Sequence, residues 1–341
     1  MLEKPDINDD LIISHLKDEY KLDVVELIFL PLGADLGTAV YRVLVENKTA
    51  YFLKLRKGFD ELSVTVPLFL KSQGLQEIIS PIETKSKQGW AEFGEYKMIL
   101  YPFIEGKDGF DRKLTDAHKQ TLGAALKNIH SSDVPLELKK LIPQENFSPQ
   151  GRESVKLLQA LVENKTFEDS TAAKLAEFMR SKREEIMRLV QRTEQLTSEL
   201  QSKPLELNLC HSDIHGGNIL VSDSGELYIV DWDTPILAPK ERDLMFIGGG
   251  IDNSWKTERE EDVFYEGYGK MEVNRSALAY YRYERIIQDL AVIGEQLLLT
   301  DEGGADRERS LGWFTGNFKV GGTIEIAGKT DNTLAHKIVV Y

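Results

Sequence analysis

The sequence predicts an α+β protein of two lobes, the first rich in β-strand and the second mostly helical. Three observations carry that reading. At 341 residues the chain is longer than one ordinary compact core supports. Its first hundred residues contain runs that alternate apolar and polar positions, the mark of half-buried strands. Past Gly106 the apolar spacing becomes helical. The expected layout is an N-terminal lobe over residues 1–101, a connector over 102–108 and a helical lobe over 109–341.

Leu11, Ile12, His15 and Leu16 share one side at helical spacing and predict a helix over Asp9 to Tyr20. Val24 to Leu32 reads as a strand, and Gly33-Ala34-Asp35-Leu36-Gly37 is turn chemistry. Ala39 to Glu46 is the return strand, and Ala50 to Arg56 is another. A helix over Glu61 to Gln73 has to kink or start late at Pro67. Tyr96 to Phe103 is an apolar strand that Pro102 and Glu105-Gly106 end. Leu122, Leu126 and Ile129 mark a helix within Leu114 to His130, with Thr115 as its N-cap. Thr171 to Leu200 reads as one long amphipathic stretch. Leu205 to Trp232 breaks the helical pattern with a polar loop, then Asn218 to Ser222, a turn at Ser224-Gly225 and a strand from Leu227 to Val230. Tyr265 to Leu299 is helical again.

Hydrophobic residues make up 41% and charged residues 29%, a globular balance. The formal net charge of −14 argues against gripping nucleic acid and suits a small cationic ligand. Cys210 stands alone, so no internal disulfide forms, which fits a reducing cytoplasm. Met1 to Asp10 is polar, and no run of about 18 apolar residues occurs. The expectation is a cytoplasmic protein, monomer or homodimer, that binds neither nucleic acid nor membrane.

Chemistry concentrates in His211-Ser212-Asp213-Ile214-His215-Gly216-Gly217-Asn218 and in Asp231 at the end of Tyr228-Ile229-Val230. Phosphoryl transfer needs a carboxylate to take the proton of the attacking hydroxyl, oxygen ligands for magnesium, and a cation on the phosphates. A loop aspartate, a loop asparagine and a strand-end aspartate can converge across a hairpin. Lys54, after Tyr51-Phe52-Leu53, is the candidate cation, with Arg56 and Lys57 as rivals. Asp233 is open between a second metal ligand and a solvated acid. His211, His215 and Cys210 read as scaffold rather than as a metal site.

This motif pair resembles the signature of aminoglycoside phosphotransferases and related choline-kinase-like enzymes, which share the eukaryotic protein kinase fold. The resemblance implies that Asp213 is the catalytic base and that Asn218 and Asp231 bind magnesium. It implies a donor nucleotide, ATP or GTP, held by Lys54, with Glu61 orienting that lysine. Gly33 and Asp35 would lie in a phosphate-covering turn, and the backbone near Tyr101 and Phe103 would meet the purine edge. Leu237 to Gly250, Phe264 to Gly269 and Tyr280 to Ile286 resemble the spectinomycin phosphotransferase branch of that family. On that likeness Asp243 braces the catalytic loop, and Asp243, Glu266, Tyr265, Tyr268 and Trp255 lie where a cationic aminocyclitol would bind. The alternatives are a kinase of choline, homoserine or methylthioribose, and a catalytically silent nucleotide-binding module. A protein kinase fits less well, because no Ala-Pro-Glu segment follows Asp231.

Overall fold

A computed structural model of the chain describes residues 4–32, 37–249, 255, 257–301 and 303–332. These residues gather into two compact units, one of 1–114, 132–142 and 216–235, the other of 115–131, 143–215 and 236–341. Neither unit is a single stretch of chain, whereas the sequence suggests one continuous lobe on each side of residues 102–108.

The first unit holds an antiparallel sheet of five strands in the order β1-β2-β3-β5-β4. These are β1 (Val24–Leu30), β2 (Thr38–Val45), β3 (Ala50–Arg56), β4 (Ala91–Phe93) and β5 (Tyr96–Pro102). The helix α1 (Asp9–Tyr20) is capped by Asn8, whose side chain accepts from the Asp10 amide at 2.9 Å. It buries Ile12 and Leu16 against Tyr41, Val43, Leu53, Leu55 and Met98 of the sheet. Leu11 is 55% exposed, so the buried face is narrower than the predicted set. The buried Tyr20 hydroxyl donates to the Met98 carbonyl at 3.0 Å. A second helix, α2 (Leu62–Ser72), runs through Pro67. Burial of Pro67 with Val64, Val66 and Leu70 offsets the ladder bond that proline cannot make.

A smaller sheet in the order β6-β8-β9 belongs to the same unit: β6 (Gly106–Asp108), β8 (Ile219–Ser222) and β9 (Leu227–Ile229). The short helix α4 (Leu136–Leu141) buries none of its side chains.

The second unit is helical apart from the paired strands β7 (Asn208–Cys210) and β10 (Ile236–Ala238). Its helices are α3 (Asp116–His130), α5 (Gln150–Asn164), α6 (Ser170–Ser181), α7 (Arg183–Gln201), α8 (Glu241–Leu244), α9 (Glu258–Tyr268), α10 (Arg275–Leu299), α11 (Arg307–Gly316) and α12 (Thr323–Asn332). The axis of the unit is α10, which packs against α5, α6, α7, α8, α11 and α12. A buried ion pair joins Arg152 of α5 to Glu284 of α10. Removing either partner alone strands a buried charge, at a cost of about 3–5 kcal/mol.

Thr115 caps α3 as expected: its Oγ1 accepts from the His118 amide and its own amide donates to His118 Nδ1, both at 3.2 Å. The predicted stretch from Thr171 to Leu200 is two helices, divided at Lys182. The predicted helix from Tyr265 to Leu299 is likewise two, divided at Gly269, whose φ of 88° ends α9. Among the described residues no helix is long and apolar enough to cross a membrane.

Candidate active site

In the first unit the cation is positioned by strand alternation. Leu53 and Leu55 are fully buried on the core face, so Lys54 projects from the opposite face of β3. Its Nζ lies 2.9 Å from Asp231 Oδ1 and 2.9 Å from Asp233 Oδ2. Arg56, two residues on along the same face, also pairs with Asp233. The Lys54 side chain is only 12% exposed. Burial alone would lower its pKa, but Asp231 and Asp233 outweigh it and hold the ammonium above its ordinary value. Asp233 is therefore the partner of two cations. The Tyr101 phenol is pushed up first by burial and then by Asp233 and Asp231.

The hairpin β8–β9 places the two magnesium candidates at one end. Ile219 pairs with Ile229, and beyond that pair the Val230 amide donates to the Asn218 carbonyl at 3.0 Å. Asp231 follows with φ 64°, a left-handed conformation that aspartate tolerates better than most residues. The Gly109 amide donates to the carbonyls of Gly216 at 2.8 Å and Ile219 at 2.9 Å, tying β6 to the turn that carries Asn218. A Cβ on Gly109 would stand 2.9 Å from the Gly216 oxygen, so this approach requires glycine. A carboxylate and an amide oxygen at one hairpin end are a hard-oxygen donor set that suits magnesium.

In the second unit Asp213 follows Ser212, whose φ is 72°. The segment is pinned from below by Asp243, which is wholly buried. Asp243 Oδ2 accepts from the His211 amide at 3.0 Å and lies 2.9 Å from His130 Nε2, while Oδ1 accepts from the Ser212 amide at 2.6 Å. His130 Nδ1 is 2.7 Å from the Tyr268 hydroxyl. Burial would raise the Asp243 pKa; His130 and the Ser212 amide outweigh it and hold the carboxyl below its ordinary range. Asp213 receives the Arg285 guanidinium on Oδ1 at 2.7 Å, and His215 Nε2 stands 3.5 Å from its Oδ2. Burial would raise the Asp213 pKa; the hydrogen bond from His215 and the charge of Arg285 outweigh it and hold the carboxyl below its ordinary range. A shallow depression in the same unit is lined by Met245, Arg282, Arg285, Asp289, Asn317 and Thr323.

Cys210, His130 and Asp243 cluster within 4.8 Å, yet their atoms are engaged with one another's surroundings. The thiol points at the carbonyls of Ala238 and Pro239, and both His130 nitrogens are occupied. The cluster is scaffold, as the sequence suggests for Cys210.

Several expected contacts fall elsewhere. Glu61 sits exposed at the N-terminal edge of α2, and among the described residues the ion-pair partners of Lys54 are Asp231 and Asp233. The reason is spacing: the two hairpin-end acids reach the buried ammonium, while Glu61 faces solvent at the helix start. The Phe103 amide is engaged by the Ala50 carbonyl at 3.2 Å. In the same ladder Tyr101 is the register partner of Phe52. Asp243 braces the loop, but its complete burial removes it from substrate contact. Tyr268 is likewise 2% exposed with its hydroxyl on His130. Tyr265 is buried, and Trp255 packs edge-on against Phe264. Glu266 is exposed on α9 and accepts from Gln120 Nε2 at 2.9 Å. Gly33 and Asp35 lie outside the described residues. Arg285 falls in the Tyr280 to Ile286 segment that resembles the spectinomycin branch but has no role predicted from it, and Asp289 lies four residues on along the same helical face.

A profile of the phosphotransferase enzyme family matches residues 29–280. The crystal structure of spectinomycin phosphotransferase APH(9)-Ia with ADP and spectinomycin is 37% identical, covers 96% of this chain and 99% of that one, and superposes with a TM-score of 0.90. Its AMP-bound complex is 36% identical over 94% of this chain and 98% of that one, with a TM-score of 0.85. The choline kinase LicA of Streptococcus pneumoniae shares the fold, at 17% identity, 96% and 98% coverage and a TM-score of 0.57. A curated relative, an uncharacterized protein of Metamycoplasma hominis, is 28% identical over 96 residues, which span 28% of this chain and 18% of that protein. The expected α+β, kinase-like fold is borne out by these likenesses.

Proposed function

Since the chain belongs to the phosphotransferase enzyme family, we propose that it transfers the γ-phosphoryl of ATP to a hydroxyl of an aminocyclitol antibiotic, spectinomycin first. The observation that carries this is the 37% identity to spectinomycin phosphotransferase over nearly the full length of both chains. The side-chain arrangement supports it.

In this reading the acceptor oxygen bonds to the γ-phosphorus as the bond to the departing ADP breaks. Asp213 takes the hydroxyl proton. An aspartate this well paired is a weak base, which suits a loose transition state: the hydroxyl becomes acidic only as its bond to phosphorus forms. Lys54 lies against the phosphates, kept charged by Asp231 and Asp233. Asn218 and Asp231 would hold magnesium, which when bound neutralises phosphate charge. Asp243 keeps the turn before Asp213 in its left-handed conformation. Most of the rate gain is therefore positioning and charge neutralisation.

The test is release of ADP from ATP and magnesium on addition of spectinomycin, with choline, homoserine and methylthioribose as comparison acceptors. Release should depend on spectinomycin and fall by roughly 100- to 10,000-fold in Asp213→Asn. A wild-type protein that responds only to a metabolic alcohol overturns the substrate. A variant as active as wild type overturns the mechanism.

A further inference from the structure

Arg285 has no part in the mechanism above, yet it bonds directly to the Asp213 carboxylate. It stands on α10 and donates from Nη1 to Asp213 Oδ1 at 2.7 Å. Its Nε lies 3.1 Å from Asp289 Oδ1, one helical turn further on. The guanidinium also stands 5.7 Å from the centroid of the Phe246 ring. Phe246 follows the Asp243 brace by three residues, so one short segment supports both the loop and the arginine. A guanidinium is planar, and its nitrogens bond in fixed directions. Asp213 accepts one of its hydrogen bonds and Asp289 stands beside it as an ion pair, so the guanidinium is held between two carboxylates. A lysine could supply the charge but not that geometry. His215, at 3.5 Å from the other carboxylate oxygen, belongs to the same loop as Asp213 and moves with it. Arg285 ties Asp213 to a different element, the axial helix of its unit.

We infer that Arg285 is a positioning residue for phosphoryl transfer. It fixes the orientation of the Asp213 carboxylate toward the acceptor proton, with Asp289 beside it as its ion-pair partner. The inference rests on the phosphotransferase reading of the site.

The experiment compares wild type, Arg285→Ala and Arg285→Lys in spectinomycin-dependent ADP release. A misplaced base loses on the order of 10- to 100-fold in rate. Arg285→Ala should therefore lose that much in kcat, with KM for ATP within about twofold, and added guanidinium ion should recover several-fold of the loss. Arg285→Lys should fall between the two. An unchanged kcat in Arg285→Ala overturns the inference, as does a loss that neither guanidinium nor lysine relieves, since that pattern marks a merely structural arginine. Should Arg285→Ala fail to fold, Arg285→Lys decides alone: an intermediate kcat with an unchanged melting temperature supports the role, and wild-type kcat refutes it. A wild-type enzyme silent toward spectinomycin would instead sink the substrate reading. The same variants are then compared in acceptor-independent ATP hydrolysis, where water takes the place of the hydroxyl and the same ratios apply.

Discussion

Single residues here are governed by what neutralises them. Lys54 would be a poor cation in its buried position without Asp231 and Asp233 beside it. Lys54→Met is expected to lower kcat/KM for ATP by about 100-fold, the usual effect of deleting one donor to developing phosphate charge. Asp231 is 46% exposed and can turn to water, so the melting temperature should move little. Nucleotide affinity and melting temperature, measured together, separate this outcome from unfolding. Asp243 behaves differently because it is wholly buried. Its folded pKa is depressed, so its contribution to stability is complete above the unfolded value of ~3.9 and is lost as pH falls below it toward the folded value. Asp243→Asn should therefore cost about 1–3 kcal/mol at neutral pH. That deficit should shrink in melts recorded below about pH 4, and a deficit independent of pH would refute the assignment.

At the scale of elements, the pair α3 and α9 depends on backbone approach. A Cβ on Gly123 would stand 2.2 Å from the Phe264 carbonyl oxygen, and one on Gly267 would stand 2.0 Å from that of Gln120. Gly123→Ala should separate the helices and destabilise the protein by about 1–3 kcal/mol, seen as a lower midpoint in urea. Because α3 carries His130 and α9 carries Tyr268, activity should fall with it through the loosened Asp243 brace. Such approaches are invisible in a sequence, where Gly123 looks like a weak point in a helix. What was legible followed periodicity and caps: β3 over Ala50–Arg56 and α1 over Asp9–Tyr20 lie where alternation and helical spacing put them. Strands of three residues, such as β4, β6, β7 and β10, are too short to show a period. The break at Lys182 leaves no glycine or proline to mark it. The site divides the same way. Asp213, Asn218, Asp231 and Lys54 stand in motifs, whereas Arg285 reaches Asp213 from 72 residues away and Asp233 reveals its lysine only once folded.

For the molecule as a whole, the formal net charge of −14 sets a field that acts before any contact is made. A cationic acceptor is drawn toward such a surface and a nucleoside triphosphate is repelled by it. Salt screens both effects, shortening the reach of exposed charge from ~30 Å at 0.01 M to ~8 Å at 0.15 M ionic strength. Raising ionic strength across that interval should therefore lower kcat/KM for spectinomycin several-fold while leaving kcat nearly constant. Local pairs such as Lys54 with Asp233 and Arg285 with Asp213 are partly buried and respond much less to screening. KM for ATP should move in the opposite direction or stay level, because the repulsion it overcomes is being removed. Steady-state kinetics at fixed free magnesium distinguish the cases. If kcat falls with salt in parallel with kcat/KM, the acceptor is not being steered by net charge, and its affinity resides in short-range contacts alone.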